Sequence, residues 1–186
     1  MIIYNSTSAT SAVYVLQPFT VIDGLNAECR LAASGRHCFY VRLSEFVTFR
    51  NCIAQDAASA NNSGFTVTRG GDGLCVIENC AALNVYNAFT QSGAGDGAMR
   101  VVNCTSTGAF RSVYQSGGAS PTWDLVNNLF LGSTYNLNNS ATSATFTGSN
   151  NFGGTTASST HQLPVAIQGS PYPVTASTAY DPGAGG

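Results

Sequence analysis

Short runs of alternating apolar and polar residues, each closed by an asparagine, recur along this chain. Five of them align: Phe46–Cys52 (FVTFRNC), Cys75–Cys80 (CVIENC), Met99–Cys104 (MRVVNC), Trp123–Asn128 (WDLVNN) and Thr145–Asn151 (TFTGSNN). The asparagines at 51, 79, 103, 127 and 150 lie 28, 24, 24 and 23 residues apart, and Thr20–Gly24 (TVIDG) stands about one period earlier. A second column, Phe39, Phe65, Phe89, Val113 and Leu137, repeats at 26, 24, 24 and 24. Turn residues make a third: Gly71–Gly73 (GDG) returns 24 residues later as Gly95–Gly97 (GDG), and then as Ala119–Pro121 (ASP). No stretch carries an apolar stripe at the helical period.

A fixed period of this length, with two or three short strands in each unit, predicts the coil of a parallel β-helix. Each coil bonds to its neighbours about 4.8 Å above and below, so equivalent positions become ladders. Asn51, Asn79, Asn103 and Asn127 then form a corner ladder, because asparagine tolerates the left-handed backbone of a tight corner. Cys52, Cys80 and Cys104 stack one residue further on. Strand alternation turns Phe49, Ile77, Val101 and Leu125 inward, as it does Phe39, Phe65 and Phe89, and it puts Trp123 in the core. Arg50, Glu78, Arg100 and Asp124 read as one outward column of mixed sign. The expected fold is all-β, a parallel β-helix of about five to six rungs over residues 15–152, roughly 24–29 Å long at that spacing. Residues 1–14 and the segment 153–186, which holds four of the six prolines, are expected to be irregular arms or caps over the open ends.

Composition narrows the function classes. The seven basic residues are all arginine and nine residues are acidic, for a net charge of −2. A nucleic-acid partner held by phosphate neutralisation is therefore not expected. With 44 % hydrophobic residues the chain differs from disordered sequences, which are poor in apolar residues and highly charged. No apolar run reaches the length of a membrane span, and the start lacks the charged and apolar regions of a secretion signal. Gly, Ser, Thr and Asn account for 75 of the 186 residues. In a stacked coil like charges meet and repel, whereas amides and hydroxyls bond along the ladder.

The chemistry-bearing residues form no familiar catalytic motif. Six cysteines occur without a CxxC pair, so reduced, buried thiols are the expectation, and neither a metal nor a cofactor is expected. Asp72 and Asp96 are equivalent and one coil apart, which suits a pair of acids or a shared cation, although each lies in a Gly-Asp-Gly turn where aspartate serves the backbone. Arg36, His37 and Arg42 form the only electropositive group that includes a histidine. Tyr40, Tyr86 and Tyr114 are expected to face outward, where Tyr86 and Tyr114 are candidate carbohydrate contacts.

The rung ends VIDG, FRNC, IENC and VVNC resemble the right-handed parallel β-helix (pectate-lyase-like) superfamily, over residues 15–152. Among its members the chain is most similar to bacteriophage virion proteins of the decoration or tailspike type. The resemblance implies right-handed single-stranded coiling and a structural, non-enzymatic role in a virion. The expected role is a capsid decoration or cement protein, a homo-oligomer with a trimer favoured, bound to the major capsid or another virion protein. The same superfamily supplies the alternative, a module that binds or depolymerises polysaccharide.

Overall fold

The computed structural model describes residues 11–30, 35–42, 45–56, 61–69, 73–93, 97–117, 120–131, 135–139 and 144–153. The expected arms at 1–10 and 154–186 fall outside these, as do Asp72 and Asp96. The described residues hold strands and no helix.

The strands form three parallel sheets of six strands each. The first sheet contains β1 (Ser11–Val15), β4 (His37–Arg42), β7 (Ser63–Arg69), β10 (Asn87–Gly93), β13 (Arg111–Ser116) and β16 (Tyr135–Asn139). The second contains β2 (Val21–Asp23), β5 (Val47–Arg50), β8 (Leu74–Glu78), β11 (Ala98–Val102), β14 (Thr122–Val126) and β17 (Thr145–Ser149). The third contains β3 (Asn26–Cys29), β6 (Ile53–Asp56), β9 (Ala81–Leu83), β12 (Thr105–Thr107), β15 (Leu129–Leu131) and β18 (Phe152–Gly153). Every third strand returns to the same sheet, so the chain is a parallel β-solenoid in which about five turns separate β1 from β16. Among the described residues the first strand is Ser11–Val15, which lies largely inside the segment expected to be an arm.

The register reproduces the sequence columns. Val13, Phe39, Phe65, Phe89, Val113 and Leu137 face one another along the first sheet. The rings of Phe39 and Phe65 stack at 4.7 Å and 1°, those of Phe65 and Phe89 at 5.7 Å and 17°. Phe49 meets Phe39 and Phe65 edge-on at 5.3 and 5.6 Å. Phe49, Ile77, Val101 and Leu125 run beside this stack, fully buried. The third sheet brings in small residues, Ala27, Ala54, Ala82 and Ser106, which lets the opposing backbone approach closely. Burial of these ladders is the main stabilising term, at about 25 cal/mol per Å² of apolar surface.

The charges need a correction. Arg50 and Glu78 share a column with Val102 and Val126, whereas Arg100 and Asp124 share the next one with Thr48 and Val76. The four are therefore two adjacent outward columns. Both columns have outward parity, and alternation alone does not distinguish them. Opposite signs still meet: Arg50 pairs with Asp23 at 2.9 Å and Arg100 with Asp124 at 3.2 Å. On such exposed sites each pair contributes at most about 1 kcal/mol.

The corner between the second and third sheets is built as the sequence implies. Asn51, Asn79, Asn103, Asn127 and Asn150 all have φ between 52 and 55°, and Gly24 heads the column at 69°. Their backbone N–H groups donate to the following coil: Asn79 to Val102 O at 3.0 Å, Asn103 to Val126 O at 2.9 Å. The main-chain ladder thus passes the corner unbroken, which a buried backbone requires.

The next position inward is a continuous ladder in which sulfur gives way to amide. The N–H groups of Cys52 and Cys80 each donate to the thiol of the coil above, Cys80 and Cys104, at 3.4 Å. The Cys104 N–H donates to Asn128 Oδ1 at 2.9 Å, and the Asn128 N–H to Asn151 Oδ1 at 3.0 Å. Each thiol also donates back to a carbonyl of its own coil at 3.2 Å. Cysteine and asparagine fill one structural requirement here, a compact acceptor for an N–H that the corner leaves exposed inside the core. Bonding to Cys104, together with burial, pushes the Cys80 thiol up to about 12, so this sulfur stays protonated at neutral pH.

Candidate functional site

The outer face of the first sheet carries three registered columns. They run His37, Ser63, Asn87, Arg111; then Tyr40, Thr66, Thr90, Tyr114; then Arg42, Thr68, Ser92, Ser116. The strands β4 and β13 supply the bulky members, while β7 and β10 between them carry only Ser, Thr and Asn. A recess follows directly. Its floor is two strands wide, its walls stand about 14 Å apart at the Cα level, three strand spacings, and its volume is roughly 430 Å³.

One wall is a stack. His37 lies on Tyr40 at 4.6 Å and 14°, and Tyr40 packs on Tyr14 at 5.3 Å. The other wall is organised by Arg111, whose guanidinium lies over the rings of Tyr114, Phe110 and Tyr86 at 4.4, 5.0 and 5.1 Å. Cation–π contacts of this kind contribute about 0.5–2 kcal/mol and fix the rings in place. Tyr86 and Phe110 are themselves stacked at 4.7 Å. Arg111 Nη1 also donates to Asn87 Oδ1 at 3.1 Å, and Asn87 Nδ2 to Ser63 Oγ at 3.2 Å.

On the floor, Thr68 and Ser92 share a hydrogen bond at 2.9 Å, and Thr66 Oγ1 meets His37 Nδ1 at 2.9 Å. The hydroxyl of Thr90 is buried and has no partner among the described residues. Such a group loses about 1–3 kcal/mol of solvation. No carboxylate lines the recess among the described residues.

Burial pulls the His37 imidazole down from 6.5 to about 4. The unfolded ring takes its proton near 6.5 and the folded ring only near 4. Between those values the unfolded chain binds more protons, so stability is complete above pH 6.5 and falls as the pH falls through this window. Chemical denaturation at pH 7 and pH 4.5 should show a loss of about 2 kcal/mol from this group. In His37→Gln that slope should be largely absent.

The sequence candidates divide in the structure. Tyr114 and Tyr86 meet at Arg111 and line the recess, whereas Tyr40 stacks behind His37, the residue that lines the opposite side. Within the group Arg36, His37 and Arg42, only His37 lines the recess; Arg42 turns to the Tyr14 hydroxyl at 3.4 Å. The ladder residues Cys52, Cys80, Cys104, Phe39, Phe65 and Phe89 are interior. Sequence reasoning missed Thr90, Asn87, Arg111 and Phe110. It also missed the buried Gln91 and Gln115, which occupy inward positions; Gln115 accepts the Trp123 indole N–H at 2.8 Å.

Fold and register define the class as an all-β parallel β-solenoid. No protein-family model matches the chain, and neither a curated protein nor a solved structure matches it.

Proposed function

We propose that the protein is a non-catalytic binding module that holds an extended, neutral glycan in the recess of the first sheet. The observation that carries this reading is the recess itself, with aromatic walls, a floor of hydroxyls and amides, and the buried, unpartnered Thr90 hydroxyl. Aromatic faces pack on the C–H faces of sugar rings, and the fixed polar groups between them meet ring hydroxyls. The resemblance of the rung ends to the parallel β-helix superfamily, which includes polysaccharide-active members, supports the same reading. Among the described residues no carboxylate lines the recess, a lining that suits a neutral ligand better than a cationic one.

A second reading has its own support. Phe19 and Phe46 are 76 % and 47 % exposed, stack on each other at 5.1 Å and hold φ of 56° and 55°. Bulky residues seldom adopt that backbone, at a cost of about 1–3 kcal/mol each. With Leu16 and Val21 exposed nearby in sequence, they favour an assembly surface, as in a trimeric capsid decoration or cement protein on a virion.

Affinity electrophoresis through neutral polysaccharides, followed by calorimetry with oligosaccharide fragments, separates the readings. Wild type should be retarded, Tyr114→Ala should bind at least tenfold more weakly, and no new reducing ends should form. Retardation unchanged in Tyr114→Ala refutes the recess as the site. Released oligosaccharides would make the protein a depolymerase, and a trimer that coats capsids but ignores every glycan would favour the second reading.

A further inference from the structure

Six thiols are free in the structure; three stand apart from the corner ladder, Cys75 in the inward column of Val47 and Met99, and Cys29 and Cys38 beside each other. Cys29 closes β3 and Cys38 is the second residue of β4, so they come from different sheets and meet across a corner of the solenoid. The Cys38 thiol points at the Cys29 sulfur, 3.3 Å away. The same thiol also lies 3.3 Å from Gln55 O. Within the corner ladder Cys52, Cys80 and Cys104 likewise bond to backbone carbonyls of their own coils, but they project in the same direction from successive coils. In-register side chains in parallel strands stay about 4.8 Å apart, wider than the Cβ separation of about 3.8 Å that a disulfide prefers. Side chains converging from two sheets have no such restriction.

We propose that Cys29 and Cys38 are a redox pair that closes into a disulfide and staples the first coil of the solenoid to the second. The oxidant is a small-molecule disulfide. One thiolate attacks a sulfur of the reagent RSSR, forming a mixed disulfide and releasing RS⁻. The second thiolate then attacks the protein-bound sulfur and expels another RS⁻. The two cysteine protons leave with the two released thiols, so RSSR is reduced to 2 RSH as the Cys29–Cys38 bond forms.

Burial makes the reaction conditional. Cys38 is fully buried and Cys29 nearly so, and the Cys38 thiol is raised well above its usual range by its bond to Cys29 and by burial. Exchange therefore runs through local opening of the first described coil, which among the described residues has a neighbouring coil on one side only. Once closed, the bond links residues nine apart in sequence and restricts that opening.

The test uses the full chain and oxidised glutathione at pH 8, with maleimide trapping of remaining thiols before tryptic mapping. Cleavage after Arg30, Arg36, Arg42, Arg50, Arg69, Arg100 and Arg111 puts Cys29 in peptide 1–30, Cys38 in 37–42, Cys52 in 51–69, Cys75 and Cys80 in 70–100, and Cys104 in 101–111. The expected product joins 1–30 to 37–42, leaves the other cysteines alkylated, and melts roughly 5 °C above the reduced chain. Adding mild denaturant should speed its formation at least tenfold, and Cys38→Ala should abolish the cross-link. Full alkylation of all six cysteines, a link between 51–69 and 70–100 or between 70–100 and 101–111, or a lasting glutathione adduct in place of ring closure overturns the proposal. So does an oxidised chain that melts no higher than the reduced one.

Discussion

Phe65→Ala should remove about 3–5 kcal/mol from the free energy of unfolding, the largest single loss expected in this molecule. Phe65 is fully buried at the middle of the phenylalanine stack, with Phe39 on one side, Phe89 on the other and Phe49 edge-on. Truncation removes the transfer free energy of the ring and leaves a cavity that the coils cannot close. Each coil is pinned to its neighbours by main-chain ladders at fixed spacing, so the walls have little room to collapse. Position matters as well. In a solenoid each coil contacts only the next, so a defect in the third coil weakens coupling between the two halves, whereas one in a terminal coil frays an end. Urea denaturation followed by circular dichroism should show the midpoint falling sharply, and Phe65→Leu, which keeps much of the volume, should lose markedly less. A loss below about 1 kcal/mol for the alanine variant would mean that the stack is not the energetic centre of the fold.

The second large effect is expected at the switch from sulfur to amide. Asn128 is buried; its Oδ1 accepts the Cys104 N–H, and its Nδ2 donates to Val101 O and to Asn151 Oδ1, both at 2.8 Å. Leucine at this position has the same branching of heavy atoms, in a bulkier form, but neither donor nor acceptor. Asn128→Leu therefore leaves the Cys104 N–H without a partner in the core and takes a donor from two oxygens. At about 1–3 kcal/mol for each group left unsatisfied, a total loss of about 2–5 kcal/mol is expected. Asn128→Cys is the informative partner. It extends the column of Cys52, Cys80 and Cys104, restores an acceptor for the N–H, and should cost less than half as much. Denaturation curves of the two variants measure the difference directly. Equal losses would refute the view that thiol and amide serve the same hydrogen-bonding purpose in this ladder.

Much of the fold was legible because stacking forces repetition. A residue at a corner with φ near 53° recurs as asparagine in five coils, and an inward position above Phe65 recurs as Phe89. Each copy in the sequence is an independent sign of the same physical constraint. Where two constraints share a parity, that signal is ambiguous: Arg50 and Arg100 both point outward, yet they belong to adjacent columns, and alternation alone cannot tell them apart. Gln91 and Gln115 were unreadable for a different reason. Their inward positions are polar because each side-chain amide bonds to a nearby group, Gly97 O for one and the Trp123 indole for the other, and such satisfaction depends on loop geometry.

The recess and the thiol pair lay further from view. Tyr86 and Tyr114 could be named from alternation, but the site exists because two coils of small polar residues sit between bulkier ones, a contrast read across columns. Thr90 has no sequence mark at all; it matters because folding buries its hydroxyl without a partner. Cys29 and Cys38 fall in no common column, since they meet across the corner where one coil passes into the next.

The sequence by itself thus determined what repeats: strands, period, ladders and the left-handed corners, because parallel stacking at a fixed spacing imposes the same requirement on every coil. Tertiary structure alone decided what does not repeat, namely which unlike residues converge across corners and between columns. Convergence of that kind depends on the closed path of the coil, and no local pattern along the chain encodes it.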